Sequence, residues 1–239
     1  MTELMRRRRA LMGQKITDDA WDDVFRAVDG GTYAADYTAG DIIPLIIDGE
    51  GAINAQIVAF NADSKADGSG NAPITFICEH LLNADHRFNP ARSGESPNYV
   101  EGTGYILGWK ESELRTYVAA MLSKFPIKVA SRIVPVIKYT KWFTSSFTTV
   151  ASGQTTDYLW VPSSREIYHV SYAEGAGPMY NYFSDNDRRS KSKVDGIYSK
   201  WWLRTGAGSN NGCIVTGGGG ASYVAPNVAE GIAIGFCIG

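Results

Sequence analysis

The sequence predicts an α+β protein in which two helices pack on short, mostly antiparallel strands joined by long loops. Glycine makes up 26 of the 239 residues and aromatic residues 12%, a composition that favours many short strands and turns over long helices. Two longer stretches have the apolar spacing of a helix, and several short β-prone runs have the length of single strands. No repeat or linker divides the chain, so we expect one domain over residues 16–239.

The two predicted helices each have an apolar stripe and recognisable ends. The first is capped by Thr17 and stops at the glycines at positions 30 and 31. Its stripe consists of Trp21, Val24, Phe25 and Val28. The second runs from Gly108 to about Lys124, where Pro126 ends it.

The β-prone runs predict strands separated by turn-rich segments. The predicted strands are a hairpin of residues 41–48 and 53–61, and residues 74–78, 133–143 and 157–161. Pro44 cannot donate a backbone hydrogen bond, so the first of these strands belongs at a sheet edge or a bulge. The Ser/Thr/Gly-rich residues 145–156 and the tyrosine-containing residues 173–194 are expected to be loops. Between them, Ser163 is expected to cap a short helix.

The C-terminal part of the chain is organised around the stretch Lys200–Arg204. Trp201 and Trp202 are expected to lie on opposite faces of one buried strand, because side chains alternate along a strand. Residues 205–230 are rich in glycine and are expected to form a display segment. The apolar residues 232–238 then predict a closing buried strand.

Composition and charge argue against several classes of function. The net charge of −2 predicts no nucleic-acid partner and no membrane partner. No apolar run approaches the ~20 residues that span a bilayer, and no signal-peptide pattern is present. The three cysteines form no C-x-x-C pair, so we expect free buried thiols rather than disulfides or a zinc site. No metal and no cofactor are expected.

Catalysis is not expected either. The nucleophile, base and acid candidates that lie near one another are Ser163 or Ser164, His169 and Asp157. Their order along the chain is Asp–Ser–His, and no nucleophile-elbow pattern surrounds either serine. We therefore expect the protein not to be an enzyme.

Residues 1–15 form a basic N-terminal arm that carries four consecutive arginines, Arg6–Arg9. A block of like charges repels itself and is typical either of a solvated terminus or of a segment that docks on a partner. The sequence leaves both alternatives open.

Several motifs, taken in order, resemble the DUF6273 group of phage and bacterial proteins over residues 16–239. They are Trp21 with its helix, Gly40–Ile43, Gln56–Asn61, Gly108–Trp109 with Ser112, Leu114 and Arg115, Asp157–Ser163 with Glu166 and Ile167, Trp201–Arg204, and Gly231–Phe236. The Trp-Trp-Leu-Arg and Pro-Ser-x-x-Glu elements are the specific parts. More distantly, this layout is similar to C-type-lectin-like and formylglycine-generating-enzyme-like domains.

The resemblance implies a C-type-lectin-like fold in which Arg204 pairs with Glu166. The closing segment lacks the Arg and Pro that the family often has there. Neither the catalytic cysteine pair of the enzyme branch nor the calcium motifs of the lectins are matched, so the resemblance implies a fold and weakens both activities. The start of the chain, Arg6–Gly13, is also similar to the start of many small virion proteins of phages that infect Gram-positive bacteria.

The leading functional hypothesis is a phage or prophage virion protein, at a tail tip or decorating the particle, that displays a lectin-like surface to a host cell-surface molecule or glycan. The expected binding residues are Ser209, Asn210, Asn211, Ser222, Tyr223 and Asn227, with Tyr180 and Tyr182 from the preceding loop. Tyrosine gives rigid contact area, and Ser, Gly and Asn give adaptable hydrogen bonds. The expected partners are other virion proteins, reached through the N-terminal arm, and copies of the same chain in a homo-oligomer assembled in the host cytoplasm. The alternatives are a purely structural virion protein and plain glycine-rich turns.

Overall fold

The computed structural model describes residues 18–90, 108–143, 149–169, 177–207 and 211–239. Its helices are α1 (18–29), α2 (Tyr33–Asp36), α3 (Glu113–Ala120), α4 (Ile127–Ala130), α5 (Ser164–Tyr168) and α6 (Asn186–Arg189), with 3-10 turns at Trp109–Glu111, Met121–Lys124 and Asn181–Phe183. Its strands are β1 (Ile42–Ile43), β2 (Ile46–Ile47), β3 (Gly51–Ala52), β4 (Ala55–Phe60), β5 (Ile74–Cys78), β6 (His86–Arg87), β7 (Val136–Phe143), β8 (Thr149–Asp157), β9 (Leu159–Trp160), β10 (Trp201–Ala207), β11 (Asn211–Val215), β12 (Ala221–Val224), β13 (Ala229–Glu230) and β14 (Gly235–Ile238). The fold is mixed α+β with mostly antiparallel sheets, as the sequence predicts.

A five-stranded antiparallel sheet contains both the first strand of the described chain, β1, and the last, β14. Its order is β1-β4-β5-β14-β9, and Phe236 of the last strand in the sequence lies opposite Phe76 of β5. The predicted hairpin is present as the pairs β1–β4 and β2–β3, interrupted at Pro44. Strand β1 lies at the sheet edge, where a segment with proline is tolerated.

The predicted second helix is divided into several pieces. Ser112 has an extended backbone, and its side-chain oxygen accepts a hydrogen bond from the backbone N–H of Arg115, so α3 begins after it. Leu114 and Val118 form the buried face of α3. The 3-10 turn ends at Lys124 and Phe125 is extended, so the helix ends before Pro126 as predicted, and the separate helix α4 starts directly after the proline.

Residues 149–156, which are predicted to be part of a loop, form strand β8 together with Asp157. They pair with β7 in a long antiparallel hairpin in which Lys138 lies opposite Thr155 and Val136 opposite Asp157. The Ser/Thr-rich composition suggested a loop, but threonine is β-branched and is favoured in strands. These residues form a strand because they pair with the β-prone strand β7.

The predicted display segment 205–230 is also more regular than expected. It contains β11 and β12, which complete a three-stranded antiparallel sheet with β10. Ile214 and Val215 supply buried apolar positions on β11, and the glycines at 217–220 make the turn between β11 and β12. The segment is therefore largely a hairpin that belongs to the core sheet.

Two apolar clusters lie on either side of β10 among the described residues. The larger contains Trp21, Phe76, Trp109, Trp160, Trp202 and Phe236; the smaller contains Ile77, Tyr180, Phe183, Trp201 and Leu203. Trp202 belongs to the larger cluster and Trp201 to the smaller, so the prediction that the two side chains face opposite sides of the strand is confirmed. Both are fully buried. The three cysteines are buried, and no disulfide joins them.

Candidate functional site

The most densely connected polar group in the described chain is a buried cluster of charges at the junction of α5, β7 and β10. Its first element is the helix start at Ser163. The Ser163 hydroxyl accepts from the backbone N–H of Glu166 at 3.2 Å, and the Glu166 carboxylate accepts from the Ser163 N–H at 2.9 Å. This capping box orients the glutamate side chain through contacts within the helix start itself.

Arg204 meets that carboxylate through two parallel contacts. Its Nη1 lies 2.6 Å from Oε2 of Glu166 and its Nη2 lies 2.7 Å from Oε1. Both side chains are at most 2% exposed. The ion pair that the family resemblance implies is therefore present, in the two-contact geometry that strengthens arginine–carboxylate pairs.

Lys138 is the second cation of the cluster. Its side chain is fully buried, and its Nζ lies 2.5 Å from Oδ1 of Asp63, 3.2 Å from Oε1 of Glu166 and 2.8 Å from the Tyr180 hydroxyl. The same Nζ lies 3.7 Å from the centre of the Trp160 ring. Strand β7 positions it, because Val136, Lys138 and Thr140 alternate onto one buried face.

Asp63 is the second carboxylate, and it is also fully buried. It accepts hydrogen bonds from the Tyr180 hydroxyl at 3.1 and 2.9 Å and from the Thr75 hydroxyl at 2.7 Å. The thiol of Cys237 lies 3.7 Å from its Oδ2. Two cations and two carboxylates thus balance one another inside the core, as buried charges require.

The pKa directions agree with this arrangement. Burial alone would raise the pKa of Glu166, but the charges of Arg204 and Lys138 together outweigh it and lower that pKa to about 2. Burial, followed by the nearby carboxylate of Asp63, raises the pKa of Tyr180 well above its usual value. At neutral pH, Glu166 is therefore ionised and the Tyr180 hydroxyl keeps its proton.

Sequence reasoning missed Lys138 and Asp63. One signal was available, because Lys138 stands at an inward position of a predicted strand, in phase with Val136 and Thr140. A lysine there requires a buried acceptor. The identity of the acceptor depends on a long-range pairing that periodicity does not contain.

The structure corrects the predicted surface position of Tyr180. This side chain is fully buried, and its hydroxyl belongs to the charged cluster. Tyr182 is half-buried, stacks edge-on against Phe183 and lies under the guanidinium of Arg188. Both side chains come from the short helical turn at 181–183 and its cap, which packs them inward rather than leaving them in an open loop.

The other predicted binding residues lie on or beside the β11–β12 hairpin. Tyr223 is 56% exposed and lies opposite Cys213, whereas Ser222 lies opposite Ile214 and so faces the other side of the sheet. Asn227 is exposed in the turn after β12, and Asn211 is half-buried at the start of β11. Ser209 and Asn210 lie outside the described residues.

The serine, histidine and aspartate considered as a catalytic set are each engaged elsewhere. Asp157 accepts from Trp109 Nε1 at 2.9 Å and from Arg115 Nε at 2.7 Å. Ser163 caps α5, and Nε2 of His169 lies 3.0 Å from the backbone oxygen of Tyr180. No contact among the described residues joins the three into a triad.

The described part of the chain shows neither a metal-binding cluster nor a membrane-spanning helix. It contains no group of three or more His, Cys, Asp or Glu side chains that could hold a metal ion. It also contains no helix that is long and apolar enough to cross a membrane.

The described elements define an α+β protein built mostly of antiparallel sheets around a buried charged cluster. The chain belongs to the DUF6273 family, a domain of unknown function, which matches residues 91–238. No curated protein and no solved structure gives a significant match. The matched region holds Lys138, Glu166 and Arg204, whereas Asp63 and strands β1, β4 and β5 precede it.

Proposed function

We propose that the chain is a phage or prophage virion protein that binds a host cell-surface molecule through the β12 face, which comprises Tyr223 and Asn227 with Asn211 of the neighbouring strand β11. Asn210, which precedes Asn211 in the sequence, is included in the proposed set. The observation that carries the proposal is the 56% exposure of Tyr223 on β12, the outer strand of the three-stranded sheet. A large aromatic ring that is more than half exposed on a strand offers rigid contact area at small entropic cost.

The support beneath this face is rigid. Strand β12 pairs with β11, which pairs with β10, and β10 carries the buried residues Trp201, Trp202 and Arg204. A binding surface on a sheet is held more accurately than one on a loop. The exposed amide of Asn227 stands in the turn that follows the strand. An aromatic ring together with amides and hydroxyls suits a hydroxyl-rich ligand such as a glycan.

The proposal includes two finer assignments. We assign the α+β arrangement to the C-type-lectin-like class because of two motifs that resemble that class. They are Trp-Trp-Leu-Arg, which ends in Arg204, and Pro-Ser-x-x-Glu, which ends in Glu166. Residues 1–15 are assigned as the arm that attaches the protein to other virion proteins, on the strength of Arg6–Arg9. No reaction is part of the proposed function.

A purely structural virion protein is the second candidate. The burial of Tyr180 and the half-burial of Tyr182 favour it, because they remove two aromatic side chains from the predicted binding surface. What remains on the β12 face is a smaller area centred on one tyrosine. The two candidates differ in whether that face contacts anything outside the particle.

Adsorption to host cells or purified cell-wall material separates the candidates. The test variant combines Tyr223→Ala, Asn210→Ala and Asn227→Ala, and circular dichroism checks that it remains folded. The control is Tyr158→Ala, which removes a tyrosine of similar exposure, 48%, between β8 and β9. The proposal expects adsorption to fall at least tenfold in the triple variant and to stay unchanged in the control. Undiminished adsorption of the triple variant would favour the structural candidate.

A further inference from the structure

Asp63 and Lys138 face each other because two distant segments run antiparallel. Lys65 forms an antiparallel bridge with Val136, and the backbone N–H of Ile137 donates to the Ser64 oxygen at 2.9 Å. Because residues in an antiparallel pair step in opposite directions, two positions back from Lys65 corresponds to two positions on from Val136. The backbone therefore sets Asp63 directly opposite Lys138.

The Asp63–Lys138 pair is closed off from solvent, and other reactive groups lie close to it. Both side chains are 0% exposed, and Nζ of Lys138 lies 2.5 Å from Oδ1 of Asp63. A third ionisable group, Glu166, places Oε1 3.2 Å from the same nitrogen. The Tyr180 hydroxyl accepts from that nitrogen and donates to the Asp63 carboxylate. The Lys138 amine, the Asp63 and Glu166 carboxylates and the Tyr180 hydroxyl therefore lie together in a part of the core that is closed to solvent.

We propose that Lys138 and Asp63 become joined by an intramolecular isopeptide bond, an amide between Nζ and Cγ, with the adjacent Glu166 carboxylate relaying the proton from the nitrogen to the leaving group. Nothing about this bond depends on the proposed host-binding function. Its ingredients are the fixed register, the nitrogen–oxygen contact and the adjacent glutamate.

The condensation balances without any other reactant. Nζ gives a proton to Asp63, which leaves a neutral amine beside a neutral carboxylic acid. The nitrogen lone pair attacks Cγ, Glu166 takes a second proton from the nitrogen, and the developing oxyanion accepts from the Tyr180 hydroxyl. Glu166 then delivers its proton to the hydroxyl group that leaves Cγ. One carbon–nitrogen bond forms, one carbon–oxygen bond breaks, and one water molecule is released.

Burial favours the product. Holding an ammonium and a carboxylate in the core carries a large desolvation penalty, and the condensation removes both charges at once. Arg204 and Glu166 remain as a balanced pair, so no unpaired charge is left behind. The bond also ties the segment after β4, which precedes the family match, to β7 within it.

Intact mass and peptide mapping of the purified full chain test the proposal. We expect the protein to be lighter than its sequence by one water molecule. Trypsin would fail to cut after Lys138, and residues 27–65 and 133–141 would appear as one branched peptide. The full sequence mass, together with separate linear peptides for the two segments, would overturn the proposal outright, without reference to any variant.

Two variants make the assignment specific. Asp63→Asn offers an amide in place of the acid, so condensation releases ammonia instead of water and the final mass should equal that of the wild-type product. Lys191→Met is the matched control, because Lys191 is a second buried lysine whose Nζ contacts the backbone oxygens of Cys78 and Glu79. Its water deficit should persist. Loss of the deficit in Lys191→Met with a folded protein would assign the link to the wrong lysine and contradict the proposal.

Discussion

Arg204 and Glu166 form a two-contact ion pair inside the protein, with nitrogen–oxygen distances of 2.6 and 2.7 Å. The same guanidinium donates to the backbone oxygens of Val161 and Tyr139. One side chain of β10 therefore binds the start of α5 and strand β7 together. This connection matters for the proposed binding face, because β10 supports the β11–β12 hairpin that carries it.

Removing either partner of the pair should be costly. We expect Arg204→Met and Glu166→Leu each to lower the free energy of unfolding by about 3–5 kcal/mol, because each leaves a buried charge without its partner. The double variant should lose less than the sum of the two. Denaturant unfolding measures all three. Arg26→Met, which breaks an exposed pair with Asp23, serves as the control and should leave stability nearly unchanged. Equal stability of the single variants and the wild type would contradict the prediction.

Acid should weaken the fold through Glu166. Against the effect of burial, the charges of Arg204 and of the unlinked Lys138 amine lower the pKa of this carboxyl from its usual 4.5 to about 2 in the folded chain. A group whose pKa is lower in the folded state stabilises the protein above the unfolded pKa, and that stabilisation is lost as the pH falls from about 4.5 toward 2. We expect the unfolding free energy to decline through this window in the wild type. A folded Glu166→Gln variant should show a shallower decline, and an identical pH profile would count against the assignment.

Gly212 should tolerate no side chain, although it lies in the predicted display segment 205–230. A Cβ at this position would lie 2.6 Å from Cζ3 of Trp202, whose ring is locked in the core. Overpacking of this kind typically costs about 1–3 kcal/mol, so we expect Gly212→Ala to lower the thermal midpoint. Gly218→Ala is the matched control, because open space surrounds that position. A Gly212→Ala midpoint equal to that of the control would refute the close contact.

The N-terminal arm should be needed for assembly and not for folding. We expect a chain without residues 1–13 to keep its circular dichroism spectrum and its unfolding midpoint. It should fail to enter particles, because the arginine block supplies the docking contacts. Particle composition measured by quantitative mass spectrometry checks this. Normal incorporation of the truncated chain would contradict the attachment role of residues 1–15.

Local signals in the sequence predicted a large part of the fold. The stripe of Trp21 and its neighbours predicts α1, the apolar run at 74–78 predicts β5, and Ser163 predicts the start of α5. These features depend on spacing and capping, which act within a few residues. The Arg204–Glu166 pair came from the family resemblance, since no local pattern specifies a partner 38 positions away.

The errors share one physical cause, which is pairing between distant or unexpected segments. Residues 149–156 have the composition of a loop and become a strand because β7 pairs with them. Tyr180 has the surroundings of an exposed loop residue and is buried because Lys138 and Asp63 bind its hydroxyl. Asp63 and Lys138 meet through a bridge between segments that periodicity cannot relate.

An electron cryo-microscopy map of intact particles from the strain that carries the gene would show directly whether the protein displays the β12 face to the host. We expect this domain at the particle surface, with Tyr223 and the β12 face directed toward solvent and residues 1–15 directed toward neighbouring subunits. Particles that lack the protein, or that bury the β12 face against another subunit, would contradict it.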